Sequence, residues 1–294
     1  MATWLGDWSM SEQAVVSPAV REEILRRLRA AEVEHGMKIL YACESGSRAW
    51  GFHSADSDYD VRFLYVRPQD WYLSYQVERK RDVIEYPIVD EIDCSGWDIR
   101  KALYLFSRTN GALLEWLKSP IRYVEQGQFA RGLRDLEARA VNRTALCYHY
   151  SHLARSNARE YLFSDQVKLK KYLYVLRPLL SIRYIEAWDA APPIEFQALV
   201  DAVAPIEIQP AIAHLLLLKR RSPELGLGDP IPEINGFIKA ELARHDGYFT
   251  GQGRPDILDR DEISAELDRL FREAVSGTGA GKGDHLIQGF ESQV

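Results

Sequence analysis

Between Pro18 and His35 the apolar residues Ile24, Leu25, Leu28 and Ala31 recur at helical spacing, with Ser17 as N-cap, Pro18 in the first turn and Gly36 as a stop. The period then changes. Lys38 to Glu44 is a short apolar run with strand character, and Glu44 to Ser57 is rich in glycine and serine. Asp58 to Val66 predicts a second strand, closed by Pro68. Val83 to Cys94 predicts one or two more strands, broken or bulged at Pro87, and Trp97 to Arg108 a helix with Ile99, Ala102, Leu103 and Phe106 inward.

From Leu113 onward nearly every segment has the helical period. Helices are expected at Leu113–Lys118, Gln128–Arg139, Arg143–Phe163, Gln166–Trp188, Glu195–Val203, Pro210–Arg221, Glu233–His245 and Ile257–Val275, with a kink at Pro178. Gly- and Pro-rich loops, Leu225–Pro232 and Asp246–Pro255, separate the later ones. The pattern predicts an α/β (α+β) domain with a small mixed sheet over residues 1–123, an all-helical domain over 124–275, and a Gly-rich flexible tail over 276–294.

With 294 residues, 46% of them hydrophobic and 27% charged, the chain is long enough for two cores. Its 43 acidic and 37 basic residues give a net charge of −6, which argues against a broad basic field for nucleic acid and leaves room for a confined basic cleft. Cys43, Cys94 and Cys147 have neither metal-ligand spacing nor the number for a disulfide framework, so a reducing cytoplasm is expected. Met1–Met10 lacks the charged-then-apolar order of a signal peptide, and the longest aliphatic run, Leu215–Leu218, is far below spanning length, so no membrane partner is expected.

Candidate chemistry concentrates in Gly46-Ser47-Arg48-Ala49-Trp50-Gly51, followed by Ser57-Asp58-Tyr59-Asp60-Val61. On a strand Asp58 and Asp60 point to one face, at the start of the apolar run Val61–Val66. Two fixed carboxylates repel unless a cation neutralises them, and hard oxygen ligands suit magnesium. The Gly46-Ser47 turn after a strand offers backbone N–H groups and a hydroxyl to a phosphate. A triphosphate cradle beside a metal-binding acidic pair suggests metal-assisted phosphoryl or nucleotidyl transfer. Asp93, among apolar neighbours, is the best third carboxylate, with Glu91 on the same face as the alternative. Asp98 has another explanation, an S-x-x-D capping box begun by Ser95.

Gly46-Ser47-Arg48-Ala49 followed by Ser57-Asp58-x-Asp60 resembles the signature of the DNA polymerase beta superfamily of nucleotidyltransferases. Adding Gly96-Trp97-Asp98, Lys101, Asn110, Glu115-Trp116-Leu117, Ser119-Pro120 and the helix from Lys170-Lys171-Tyr172 to Arg177, the chain is similar over roughly Ile39 to Trp188 to a bacterial and phage branch described as an RNA-repair-pathway polymerase beta family. The resemblance implies a nucleotidyltransferase catalytic domain in which Gly46 and Ser47 contact the phosphates of a nucleoside triphosphate such as ATP. It also implies that Asp58, Asp60 and Asp93 bind two Mg2+ ions, with Mn2+ as a substitute, and that the acceptor is an RNA end. The alternatives are transfer to a protein or small-molecule hydroxyl, or a non-catalytic nucleotide sensor or antitoxin-like protein.

Other residues carry paired readings. Arg48 either steadies a phosphate or pairs with Asp56, and His53 and Ser54 read as loop surface. Lys170, Tyr174 and Arg177 share a helical stripe, with Lys171 beside it, that either closes over a triphosphate or is a solvated basic face with Tyr174 in the core. Lys219, Arg220 and Arg221 complement a helix C-terminus without needing a ligand. His149 and His152 read as packing residues, and Trp50, Trp71, Trp97 and Trp116 as core or interface.

Overall fold

The computed structural model describes residues 15–162, 164–221, 226–249 and 260–277. The N-terminal stretch Met1–Met10, residues 250–255 of one expected loop, the first residues of the helix expected from Ile257, and the tail past residue 277 lie outside the described residues.

In chain order the elements are α1 (Pro18–His35), β1 (Lys38–Glu44), the single turn α2 (Gly46–Ala49), β2 (Tyr59–Val66), α3 (Gln69–Tyr72), β3 (Val83–Glu85) and β4 (Ile92–Asp98). They continue as α4 (Ile99–Ser107), α5 (Gly111–Lys118), β5 (Arg122–Glu125), α6 (Phe129–Ala140), α7 (Arg143–Tyr161), β6 (Val167–Lys168) and α8 (Lys170–Trp188). The last are α9 (Phe196–Val203), α10 (Gln209–Arg221), β7 (Leu227–Gly228), α11 (Pro232–Phe249) and α12 (Arg260–Ser276).

Local chemistry sets the first boundaries. Ser17 accepts the Val20 N–H at 3.3 Å, Pro18 occupies the first turn, and Gly36 closes α1 in the left-handed conformation with its N–H on the Glu32 carbonyl. The mixed sheet has the order β3-β4-β2-β1-β5, in which only the β2–β4 pair is parallel. Along β2, Val61, Phe63 and Tyr65 pack toward α1, while Leu64 and Val66 face the opposite core with α4, α5, α6 and α12. On β4, Ile92 and Cys94 share the α1 side, and Trp97 packs on the other. Period-two geometry therefore puts Asp60, Arg62 and Asp93 on the side away from α1, at the end where β2 and β4 begin.

Three differences from the sequence pattern have identifiable causes. Trp97 and Asp98 continue β4 by pairing with Leu64 and Tyr65, so Ser95 lies inside the strand and begins no capping box. Asp98 alone caps α4, its carboxylate accepting the Arg100 N–H at 2.9 Å and the Tyr72 hydroxyl at 2.9 Å. The helical second half also contains β5, which pairs with β1, and the short β6–β7 pair.

The expected boundary at residue 123 falls within β5. One core joins β1 and β2 to α4–α6, the start of α7, the end of α8, and α12. A further core lies under α7–α11 and takes in Phe52 from the loop after α2. No helix among the described residues is long and apolar enough to cross a membrane.

Candidate active site

The parallel register places Asp60 directly across from Asp93. Between them lies Arg62, whose Nη2 is 3.0 Å from Asp60 Oδ1 and 2.6 Å from Asp93 Oδ2. Its Nη1 also donates to the Asp93 carbonyl at 2.9 Å, so one guanidinium ties both strands and both carboxylates. Asp58 is exposed just before β2. Burial holds the Asp60 carboxyl above its ordinary range, with Asp93 and Asp58 adding repulsion against the opposing Arg62 and Arg48.

The turn between β1 and α2 closes directly on this edge. Ser45 N–H donates to the Asp60 carbonyl at 2.8 Å, and Gly46 has φ of +59°. A Cβ at Gly46 would stand 1.9 Å from Asp60 Oδ2, so glycine is required both by conformation and by space. Ser47 is buried on the same turn. Arg48 neither pairs with Asp56 nor projects freely. It donates to the carbonyls of Ser57 at 2.6 Å, Val15 at 2.9 Å and Asp58 at 3.3 Å, and its guanidinium lies 3.8 Å from the Tyr59 ring centroid. It thereby holds the segment that presents Asp58.

Glu44, the last residue of β1, is fully buried and was not singled out from sequence. One oxygen accepts the Asp60 N–H at 2.8 Å and the other the Tyr123 hydroxyl. Burial pushes its carboxyl up to about 7, against these hydrogen bonds and with the charge of Asp60 contributing. Arg62 was also missed, although alternation along β2 places it on the face of Asp60. Glu91 sits with Asp90 in a turn of positive φ, exposed, while its carbonyl accepts the Tyr59 N–H at 2.7 Å. Of Asp90, Glu91 and Asp93, the acids weighed for the third carboxylate position, Asp93 is the one across from Asp60.

α8 separates the predicted stripe into different environments. Tyr174 packs edge-on against Trp50 and Phe52, at 5.7 and 5.9 Å between centroids. Burial, then the nearby Asp60 and Asp58 charges, push its hydroxyl up to about 12. Lys171 lies over the rings of Tyr161 and Tyr174 at 4.2 and 5.1 Å, and Lys170 is exposed. Arg177 leaves the stripe for the interior: it is 2% exposed, pairs with Glu115 at 2.7 Å and lies 4.5 Å from the Trp50 ring. Glu115 also accepts from Trp50 and Tyr150, so this arginine braces the two halves. Ser54, expected on the surface, is buried. His149 packs on Gly111 and His152 is exposed.

A sequence model of the RNA repair pathway DNA polymerase beta family matches residues 20–273. The chain belongs to that family. It is 44% identical over 257 residues to the uncharacterized protein YcgL of Bacillus subtilis (strain 168), covering 87% of this chain and 96% of the relative. It is also similar to the crystal structure of a nucleotidyltransferase-like protein from Exiguobacterium sibiricum 255-15, with a TM-score of 0.29 and 11% identity over 87% of this chain and 91% of that one. The family match takes in β1, β2, β4 and α8, hence every residue of the acidic edge and of the turn that closes on it.

The donor chemistry of that edge suits a hard divalent cation, since Asp58, Asp60 and Asp93 offer carboxylate oxygens and Asp60 and Asp93 face each other across the sheet. Among the described residues, no three His, Cys, Asp or Glu side chains already enclose a metal position. Arg62 is the cation between two of the three acids in this structure.

Proposed function

We propose that the protein is a metal-dependent nucleotidyltransferase that moves a nucleoside monophosphate from a nucleoside triphosphate to a hydroxyl at an RNA end. The observation that carries this reading is the pairing of Asp60 with Asp93 across β2 and β4, against a Gly46 turn with no room for a side chain. Family membership supports nucleotidyl transfer as the general activity.

Asp58, Asp60 and Asp93 would hold magnesium, or manganese in its place. Bound there, such an ion would supply Lewis-acid neutralisation of the charge that develops during transfer. The acceptor oxygen bonds to the α-phosphorus, the bond to the β-phosphate oxygen breaks, and pyrophosphate leaves. Asp93 orients the acceptor hydroxyl and takes its proton. Gly46 and Ser47 contact the phosphates, and Lys170 and Lys171 flank them from α8. Arg48 and Arg177 work at one remove, the first by fixing the Ser57–Asp58 backbone and the second by holding Trp50 and Glu115 behind Tyr174. The buried free thiols of Cys43, Cys94 and Cys147 support a cytoplasmic assignment.

Incubation with α-labelled triphosphates, magnesium, and either RNA or protein acceptors tests the proposal. Label on RNA is expected. Label on protein would replace the RNA acceptor with a protein hydroxyl, and binding without transfer to any acceptor would overturn the enzymatic reading.

A further inference from the structure

Lys219, near the end of α10, is not a solvated lysine at a helix terminus. Its side chain is 7% exposed, and its Nζ donates to the Ser54 hydroxyl at 3.0 Å. Ser54 is itself buried, its hydroxyl 3.1 Å from that of Ser57, which accepts the Ser54 N–H at 3.0 Å. An ammonium has three protons to donate and a full charge to neutralise. Among the described residues its hydrogen-bond partner is one neutral hydroxyl, and Asp56 acts on it from beyond ion-pair distance. Among the described residues, Asp56 Oδ1 is in turn buried without a hydrogen-bond partner.

More positive charge surrounds this lysine. Burial disfavours its charged form, and Lys170 adds repulsion from the start of α8. Arg220 is exposed beside it in sequence. Burial, then the charges of Arg48, Arg220 and Lys219, keep the His53 imidazole below its ordinary range, and among the described residues its Nδ1 is buried without a hydrogen-bond partner. Four cations, Lys219, Lys170, Arg220 and Arg48, therefore act here beside the carboxylate of Asp56, with the His53 imidazole among them. One turn along α8 from Lys170, Tyr174 lies in the field of Asp60 and Asp58, so the cluster adjoins the acidic edge. Uncompensated buried charge is unfavourable in a resting fold, and such sites are retained where a ligand completes them.

We propose that Lys219, supported by Lys170, Arg220 and the Ser54 and Ser57 hydroxyls, receives the terminal phosphates of the nucleoside triphosphate, so that the site selects triphosphates over monophosphates. This rests on the nucleotidyl-transfer reading. A polyphosphate end supplies oxygens for the unused ammonium protons and negative charge for the cluster. The depth of Nζ favours a compact phosphate end over the side of an RNA strand.

The test is calorimetric titration of ATP, AMP and inorganic tripolyphosphate, with magnesium, into the full chain and its Lys219→Met and Ser54→Ala variants, alongside thermal melting. For Lys219→Met the expected result is at least tenfold weaker ATP and tripolyphosphate binding, unchanged AMP binding, and a higher melting temperature without ligand. Ser54→Ala should weaken the same two ligands severalfold. Equal weakening of ATP and AMP, unchanged tripolyphosphate binding, or a lower melting temperature with unaltered binding would overturn the assignment. If the unmodified protein bound no triphosphate at all, the nucleotidyl-transfer reading itself would fall. Tighter competition by RNA than by tripolyphosphate at Lys219 would make the cluster a strand-docking site and overturn the phosphate-tail role.

Discussion

Around the half-buried acidic edge, Glu44, Arg48 and Arg177 are charged residues held in the interior. Glu44 accepts two hydrogen bonds yet its carboxyl is pushed up to about 7, because burial outweighs both. Its proton is bound more tightly in the folded than in the unfolded chain, so its contribution to stability is full below about pH 4.5 and is lost as pH rises toward about 7. The total is about 3 kcal/mol across that window. In metal-free protein, denaturant unfolding from pH 4.5 to 7.5 should show this decline, and Glu44→Gln should flatten it; an identical slope in the variant would refute the assignment. Asp60 was legible because alternation along a strand fixes its face, whereas Asp58, expected on the same strand, lies just before β2, which begins at Tyr59. Glu44, Ser54 and Lys219 were not legible, since their burial depends on Tyr123, on the loop after α2 and on α10. Likewise nothing in the sequence around Arg177 indicates that Glu115 waits for it across the interior.

At the scale of elements, α1 was legible to the residue because its signals are local: the Ser17 cap, the proline and the left-handed Gly36. The start of α4 was misjudged because pairing with β2 outcompetes the helical signal at Trp97 and Asp98. β5 escaped notice because it is four residues long with only Tyr123 buried, too little for an apolar run. The β1–α2 turn is the element on which the site depends most. Gly46→Ala imposes a left-handed conformation on a residue with a Cβ and drives that carbon into Asp60. The expected cost is about 1–3 kcal/mol in unfolding free energy, with Asp60 displaced and nucleotide binding lost in the folded variant. Unchanged stability and binding would show that the turn is not what fixes Asp60.

Across the whole molecule, the mixed sheet followed by helices was readable from the change of hydrophobic period, but the way the chain returns on itself was not. α12 packs on α4 and α6, where Leu270 fills the space over Gly132 and joins the core beneath β1 and β2. The C-terminal helix thus belongs physically to the half that carries the acidic edge. Leu270→Ala should lower stability by about 2–5 kcal/mol, and circular dichroism and intrinsic tryptophan fluorescence should report the same shifted transition. Separate transitions, with the tryptophan signal unmoved, would mean that α12 is peripheral.

The central claim is that the acidic edge and the Gly46 turn form one metal-dependent nucleotide site. Calorimetric titration of a nucleoside triphosphate with and without magnesium, into the unmodified protein and an Asp58→Ala, Asp60→Ala double variant, tests it most directly. The account predicts saturable binding that requires magnesium and disappears in a variant that remains folded. Binding that persists without the two aspartates, or no binding by the unmodified protein in magnesium, would contradict it.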